Sequence, residues 1–135
     1  MTKDYTNNPI ANITYPSTDS LLHSRILMQS HDTALLIIDV QERLIQAVDD
    51  QKLIVWNIRR LIDAANILCI EIATTEQYPQ RLGHTIDRIA KRIVHKPYPK
   101  MSFSCVVCAE ILQQFKKSSI SKVLLCGIEA HVCVL

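Results

Sequence analysis

One acid, one amine and one thiol, far apart in the chain, are the residues whose types and settings best suit covalent chemistry. Asp39 closes the apolar run Ala34-Leu-Leu-Ile-Ile-Asp39, and a carboxylate desolvated at the end of a buried strand can serve as a general base. The plainer role for such an acid is to cap the next helix. Cys133 follows a second apolar run and a turn holding Gly127. A thiol at a strand-to-turn junction meets backbone N–H groups that stabilise both a thiolate and an oxyanion. Its plainer role is that of a buried structural cysteine between Val132 and Val134, since cysteine is among the most buried residue types. A cation beside the two would decide for chemistry, because it lowers a thiol's pKa and orients an acid. His95-Lys-Pro-Tyr-Pro-Lys-Met-Ser-Phe-Ser104 offers Lys96 and Lys100. Lys96 keeps the solvated role usual in a Pro-rich loop, whereas Phe103 and Ser104 open a helix just after Lys100 and fix it against the sheet edge.

The remaining thiols and imidazoles carry less. Cys105 and Cys108 form a Cys-x-x-Cys, the spacing of a redox pair or of half a zinc site, but no second pair accompanies it. On a helix Cys108 falls on the apolar stripe, so core packing is the expected use. His131 stands too close to Cys133 in sequence to face it and is expected to line a pocket or to stay exposed. His84 lacks an Asp-x-His partner, and no metal or cofactor is expected.

The elements that must bring these groups together alternate. Ala34–Val40 is apolar up to Asp39, the pattern of a strand buried on both faces of a parallel sheet. Ile54, Ile58, Leu61, Ala65 and Leu68 recur at helical spacing over Lys52–Leu68, with Arg59, Arg60 and Asp63 turned away. Cys69–Thr74 reads as strand two, Thr85–Arg92 as a short helix and Ile93–His95 as a short strand. Ser104–Lys117 reads as a helix with the stripe Cys108, Ile111, Leu112 and Phe115, and Lys122–Ile128 as a further strand. Alternation of this kind predicts an α/β fold, a three-layer doubly wound parallel sheet with right-handed crossovers. Ligands bind such sheets at the carboxyl ends of strands, which selects Asp39, the Thr74–Tyr78 segment and the Gly127–Cys133 segment.

Length and charge bound the function. A chain of 135 residues, 48% hydrophobic and 21% charged, builds one core and one domain, here residues 33–135, preceded by a polar N-terminal arm at 1–32 in which only Leu21–Met28 suits a short helix. Fifteen Lys and Arg against thirteen Asp and Glu leave a net charge of +2. That is too little to form a nucleic-acid surface or a polybasic membrane anchor, so a small-molecule partner is expected, with neither nucleic acid nor membrane. Five cysteines, an odd number, behind a polar start without an apolar leader predict reduced thiols in a cytoplasm.

Four segments together resemble the isochorismatase-like cysteine hydrolases: Leu36-Ile-Ile-Asp39-Val-Gln41; Thr75-Glu-Gln-Tyr-Pro79 with Leu82-Gly83-x-Thr85; Lys100-x-x-Phe103-Ser104; and Gly127-Ile-Glu-Ala-His-Val-Cys133. They stand in family order from about Thr33 to the last residue. The resemblance implies an Asp-Lys-Cys triad of Asp39, Lys100 and Cys133. In that family the thiolate attacks an electrophilic carbon of an amide-like centre, the aspartate shuttles the proton and the lysine steadies charge. It also implies an oxyanion site of backbone amides at the nucleophile and at a non-proline cis peptide, mapping to Ile128–Glu129. Gln41, Glu76, Gln77, Tyr78, Phe103 and His131 would surround the substrate. Siderophore-pathway isochorismatases generally lack the cysteine and nicotinamidases carry a metal-binding Asp-x-His, so the resemblance points to amidase-type chemistry without a metal. Members of the family often associate, and a homo-oligomer is expected. The family continues past the nucleophile with a helix and further strands, whereas this sequence ends at Leu135. The reading is therefore of a domain incomplete at its C-terminus, feebly active or a catalytically silent interaction module of the same fold. A thiol redox protein using Cys105 and Cys108 is the remaining alternative.

Overall fold

The sheet is organised on its first strand, β1 (Thr33–Ile38), every residue of which is buried. The β pleat sends Leu35 and Ile37 to one face and Ala34, Leu36 and Ile38 to the other, so a single strand feeds two hydrophobic cores. The computed structural model describes residues 27–128 and 132–134. Most of the arm, nearly all of the helix expected at 21–28, and Glu129, Ala130, His131 and Leu135 lie outside the described residues.

After β1 come α1 (Glu42–Gln46), α2 (Gln51–Ile67), β2 (Glu71–Gln77), α3 (Pro79–Leu82), α4 (Asp87–Ala90), β3 (Tyr98–Lys100), a 3-10 turn at Cys105–Val107, α5 (Ala109–Lys117) and β4 (Lys122–Gly127). The strands pair in the order β3-β2-β1-β4, all parallel. Leu35 and Ile37 pack with Val55, Ile58, Ile62 and Ala65 of α2, while Leu36 and Ile38 pack with Cys108, Ile111 and Phe115 beside α5. This is the α/β layering read from the alternating pattern, with helices on both faces of a parallel sheet. Among the described residues no helix is long and apolar enough to cross a membrane.

Three elements differ in detail from their sequence patterns. On α2 the buried stripe is Val55, Ile58, Ile62 and Ala65, one step round from the expected one, and Leu61 and Leu68 are exposed. Both stripes satisfy the helical period, and the direction from which the sheet approaches chooses between them. Ile93–His95 is not a strand: Val94 is 90% exposed, and the edge is taken instead by Tyr98–Lys100, paired with Thr75–Gln77. Pro99 within it carries no N–H, which an edge strand tolerates because one side of its ladder is unpaired. The expected helix at 104–117 is broken at Cys108, where ψ is 85°, and Leu112 of the expected stripe is 49% exposed.

Gly127 ends β4 against β1, and a Cβ built there would lie 2.3 Å from the carbonyl oxygen of Ile38. That obstacle is backbone in the central strand and cannot step aside. Gly127→Ala is therefore expected to cost about 3 kcal/mol, the upper range for overpacking, read as a lower urea midpoint at unchanged slope. Among the described strands β4 is the other edge, and Val123, Leu124 and Leu125 along it are 38%, 38% and 45% exposed.

Candidate active site

The chain passes from β1 to β2 to β3 in one direction and returns to β4 on the other side of β1. The carboxyl ends of β1 and β4 flank that reversal, the position where an open parallel sheet leaves a crevice. Asp39 follows β1 directly, with φ of 53°, a left-handed conformation that aspartate and asparagine tolerate better than most residues. The turn points its carboxylate into the protein, where it is fully buried. Lys100 ends β3 and reaches across β2. Its Nζ donates to Asp39 Oδ2 at 2.7 Å, to Gln77 Oε1 at 2.8 Å, and to the carbonyls of Phe103 at 3.0 Å and Ser102 at 3.2 Å. Side-chain exposure is 1% for the lysine and 0% for the aspartate, so the two charges neutralise each other out of contact with water. The second carboxylate oxygen, Oδ1, accepts the Thr75 hydroxyl at 2.8 Å.

Cys133 packs beside Leu36 and Ile38 with 5% exposure. Its thiol pKa is raised from 9.0 to about 11, by burial first and then by a hydrogen bond to Asp39 and the charge of that carboxylate, with Lys100 pulling the other way. The three residues singled out from opposite parts of the sequence thus converge on one carboxylate. They can pass a proton from sulfur to oxygen beside a fixed positive charge.

Residues 33–135 match the sequence profile of the isochorismatase domain. The chain belongs to the isochorismatase family. It is 36% identical over 109 residues to isochorismatase domain-containing protein 2 of Danio rerio, an alignment covering 79% of this chain and 54% of the relative. A secreted isochorismatase effector of Phytophthora sojae is 33% identical over 111 residues, with 78% of this chain and 52% of the relative covered. Among solved structures, that of the MAR1 ribonuclease from Caenorhabditis elegans superposes with a TM-score of 0.69 at 36% identity, over 79% of this chain and 55% of that one. The chain spans about half the length of the curated relatives it matches.

The other residues selected in this isochorismatase domain have distinct placements. Gln41, fully buried, accepts the Gln77 N–H at Oε1 (2.7 Å) and donates through Nε2 to the carbonyls of Gln77 (2.9 Å) and Gly83 (2.6 Å). Gln77 in turn holds Lys100 at Oε1 and donates through Nε2 to the Met101 carbonyl at 3.0 Å. Glu76 accepts the Thr85 N–H (2.6 Å) and hydroxyl (2.8 Å) and pairs with His84 Nδ1 at 3.0 Å, raising the pKa of that histidine. Tyr78 has the Arg81 guanidinium 5.8 Å above its ring, and Phe103 is 62% exposed. Ile128 is buried under β1, while Glu129 and His131 lie outside the described residues. Among the described residues no group of three His, Cys, Asp or Glu stands together as a metal site would need.

Two contacts of the site carry no mark in the sequence. Thr75 anchors Asp39, and Cys105 Sγ lies 3.9 Å from the Thr75 hydroxyl and 3.8 Å from the Cys133 carbonyl. Thr75 sits in a motif that matches the family, but a threonine in a strand gives no sign of its partner. Sequence spacing groups Cys105 with Cys108, whereas Cys108 is a buried member of the core and Cys105 is only partly buried against it.

Two expected results follow from this network. Gln41→Leu removes one side chain and strands two buried backbone groups of Gln77 and the part-buried carbonyl of Gly83, each of which then carries a desolvation cost. The variant should lose roughly 3 kcal/mol in urea unfolding, and Gln41→Glu, which keeps the acceptor but not the donor, should lose less. The thiols of Cys133 and Cys126 hold their protons to about 11 in the folded chain, against 9.0 for an ordinary thiol. Above pH 9 the unfolded chain therefore binds fewer protons than the folded one, so stability is fully present below pH 9 and falls as pH rises toward 11. Urea midpoints taken across that window should decline less steeply in Cys126→Ala than in the parent.

Proposed function

We propose that this isochorismatase domain is a cysteine hydrolase acting on a small amide or a related carbonyl-centred molecule, with Cys133 as nucleophile, Asp39 as proton shuttle and Lys100 as the fixed charge. The observation that carries the reading is one buried carboxylate bonded at 2.7 Å to a buried ammonium, beside a buried thiol, Cys133, whose pKa the same carboxylate raises. In the resting site the sulfur keeps its proton. As it attacks the substrate carbonyl carbon the C–S bond forms, the proton passes to Asp39, and the oxyanion is met by main-chain N–H groups of the turn around Cys133, with Ile128 and Glu129 contributing as the resemblance implies. Protonated Asp39 then gives its proton to the leaving nitrogen as the C–N bond breaks. Water, deprotonated by the same carboxylate, attacks the thioester, the C–S bond breaks and the thiol returns. Lys100 balances the charge of Asp39 between proton transfers and never leaves its four acceptors. Gln41 and Gln77 act through Lys100 as positioning residues.

The reading carries further proposals. The substrate is small, no resident cofactor or metal takes part, and a reducing compartment such as the cytoplasm keeps the nucleophile free. A homo-oligomer, expected from the family resemblance, is part of the same proposal. The test is hydrolysis of a panel of neutral small amides, followed by release of ammonia or amine. Turnover by the parent and its loss in Cys133→Ser is the expected outcome, and equal turnover by both would reject Cys133. A second reading, RNA cleavage, is favoured by the 36% identity to the Caenorhabditis elegans protein described as a ribonuclease. Cleavage of a labelled RNA by the parent but not by Cys133→Ser, with no amide turned over, would replace the first reading by the second.

A further inference from the structure

We infer that Cys105 and Cys133 form an oxidisable dithiol, closed into an intramolecular disulfide by a hydroperoxide and opened by a thiol reductant. Cys105 begins the 3-10 turn that follows the Lys100 loop, and Cys133 lies in the turn after β4. The two belong to segments remote in sequence, yet Cys105 Sγ is 3.8 Å from the Cys133 carbonyl oxygen. Both side chains line one cavity of about 290 Å³ between α5 and β4, whose outer wall includes the exposed Val106. The Cys105 thiol donates to the Cys133 carbonyl, and its sulfur also lies 3.9 Å from the Thr75 hydroxyl. That contact and the one to the Cys133 carbonyl keep Cys105 on the site side of its turn. Cys108, its partner by sequence spacing, is buried in the same core cluster as Cys133 but does not line that cavity. The shared cavity and the carbonyl contact therefore set the first member of the Cys-x-x-Cys beside the candidate nucleophile.

Cys105, the more accessible of the two, meets the peroxide first. Its thiolate attacks one peroxide oxygen, an S–O bond forms, the O–O bond breaks, and the departing oxygen leaves as water after taking a proton. Cys133, as thiolate, then attacks the sulfenyl sulfur. The S–S bond forms, the S–O bond breaks and a second water leaves. Two thiols lose two electrons and two protons, and hydrogen peroxide becomes two waters. Burial raises both thiol pKa values, so closure is slow near neutrality and speeds up as pH rises through the thiols' titration range. Closure removes the sulfur that the hydrolytic reading needs, but the inference is read on the thiols themselves and stands whether or not amides are turned over.

The experiment treats the full chain with hydrogen peroxide at pH 7.5 and pH 9, traps free thiols with N-ethylmaleimide and locates cross-links by tandem mass spectrometry in the monomer fraction, since exposed Cys69 can join two chains. The expected product is a monomer with two fewer titratable thiols, linked between Cys105 and Cys133, formed faster at the higher pH and fully reversed by dithiothreitol. The link should be lost in Cys105→Ser and in Cys133→Ser and kept in Cys108→Ser and Cys126→Ser. A link between Cys105 and Cys108 would overturn the pairing. So would oxidation of Cys133 to a sulfinic acid at the same rate in the parent and in Cys105→Ser.

Discussion

Asp39→Asn is expected to make Cys133 easier to alkylate while abolishing hydrolysis. Burial is the largest influence raising the thiol to about 11, and the next two, a hydrogen bond and a charge, both come from Asp39, so removing that charge leaves burial as the main one. Lys100, which pulls the thiol pKa down, is then no longer opposed by the Asp39 charge. The thiol should titrate closer to its ordinary 9.0, and each unit of fall gives about tenfold more thiolate at pH 8. Iodoacetamide labelling of Cys133 at that pH should rise accordingly. The same substitution deletes the acceptor for the sulfur proton and the donor for the leaving nitrogen, so turnover of any amide found for the parent should drop by about 10²–10⁴. Asparagine accepts the left-handed backbone at this position, and circular dichroism should report an unchanged fold. Slower labelling in the variant, or unchanged turnover, would show that Asp39 and Cys133 are not coupled as described.

Lys100→Met is expected to be the most destabilising single change in the site. It leaves the Asp39 carboxylate at 0% exposure with the Thr75 hydroxyl still donating to it, and it strands Gln77 Oε1 and two loop carbonyls. Breaking a buried pair from one side costs roughly 3–5 kcal/mol, a large share of the roughly 5–15 kcal/mol that typically holds a domain folded. Without the ammonium the thiol also loses the one influence that lowers its pKa, so labelling of Cys133 should slow. The double variant Asp39→Asn/Lys100→Met removes the stranded charge and should recover part of the loss, giving a coupling energy of at least about 1 kcal/mol in urea unfolding. Additive losses would mean that the two charges do not sense each other.

Much of this is legible in the chain itself, and the physical reason is locality. A strand buried on both faces must be apolar at every position, so β1 shows as Ala34–Ile38 with Asp39 as its stop, and β4 shows equally plainly as Lys122–Gly127. Alternation of strands and helices restricts the sheet to parallel crossovers and directs attention to strand ends, where Asp39, the Thr74–Tyr78 segment and the segment leading to Cys133 stand; that Lys100 also ends a strand emerges only from the fold. The remaining features depend on partners remote in sequence. The edge strand is Tyr98–Lys100 rather than Ile93–His95 because pairing with β2, which runs on to Gln77, outweighs the β propensity of two branched residues. The buried stripe of α2 is set by the sheet it meets. Gln41 is a clamp on Gln77 and Gly83, and Cys105 faces Cys133 while Cys108 enters the core; a polar side chain's partner is chosen by the three-dimensional packing around it, and no local pattern records that choice.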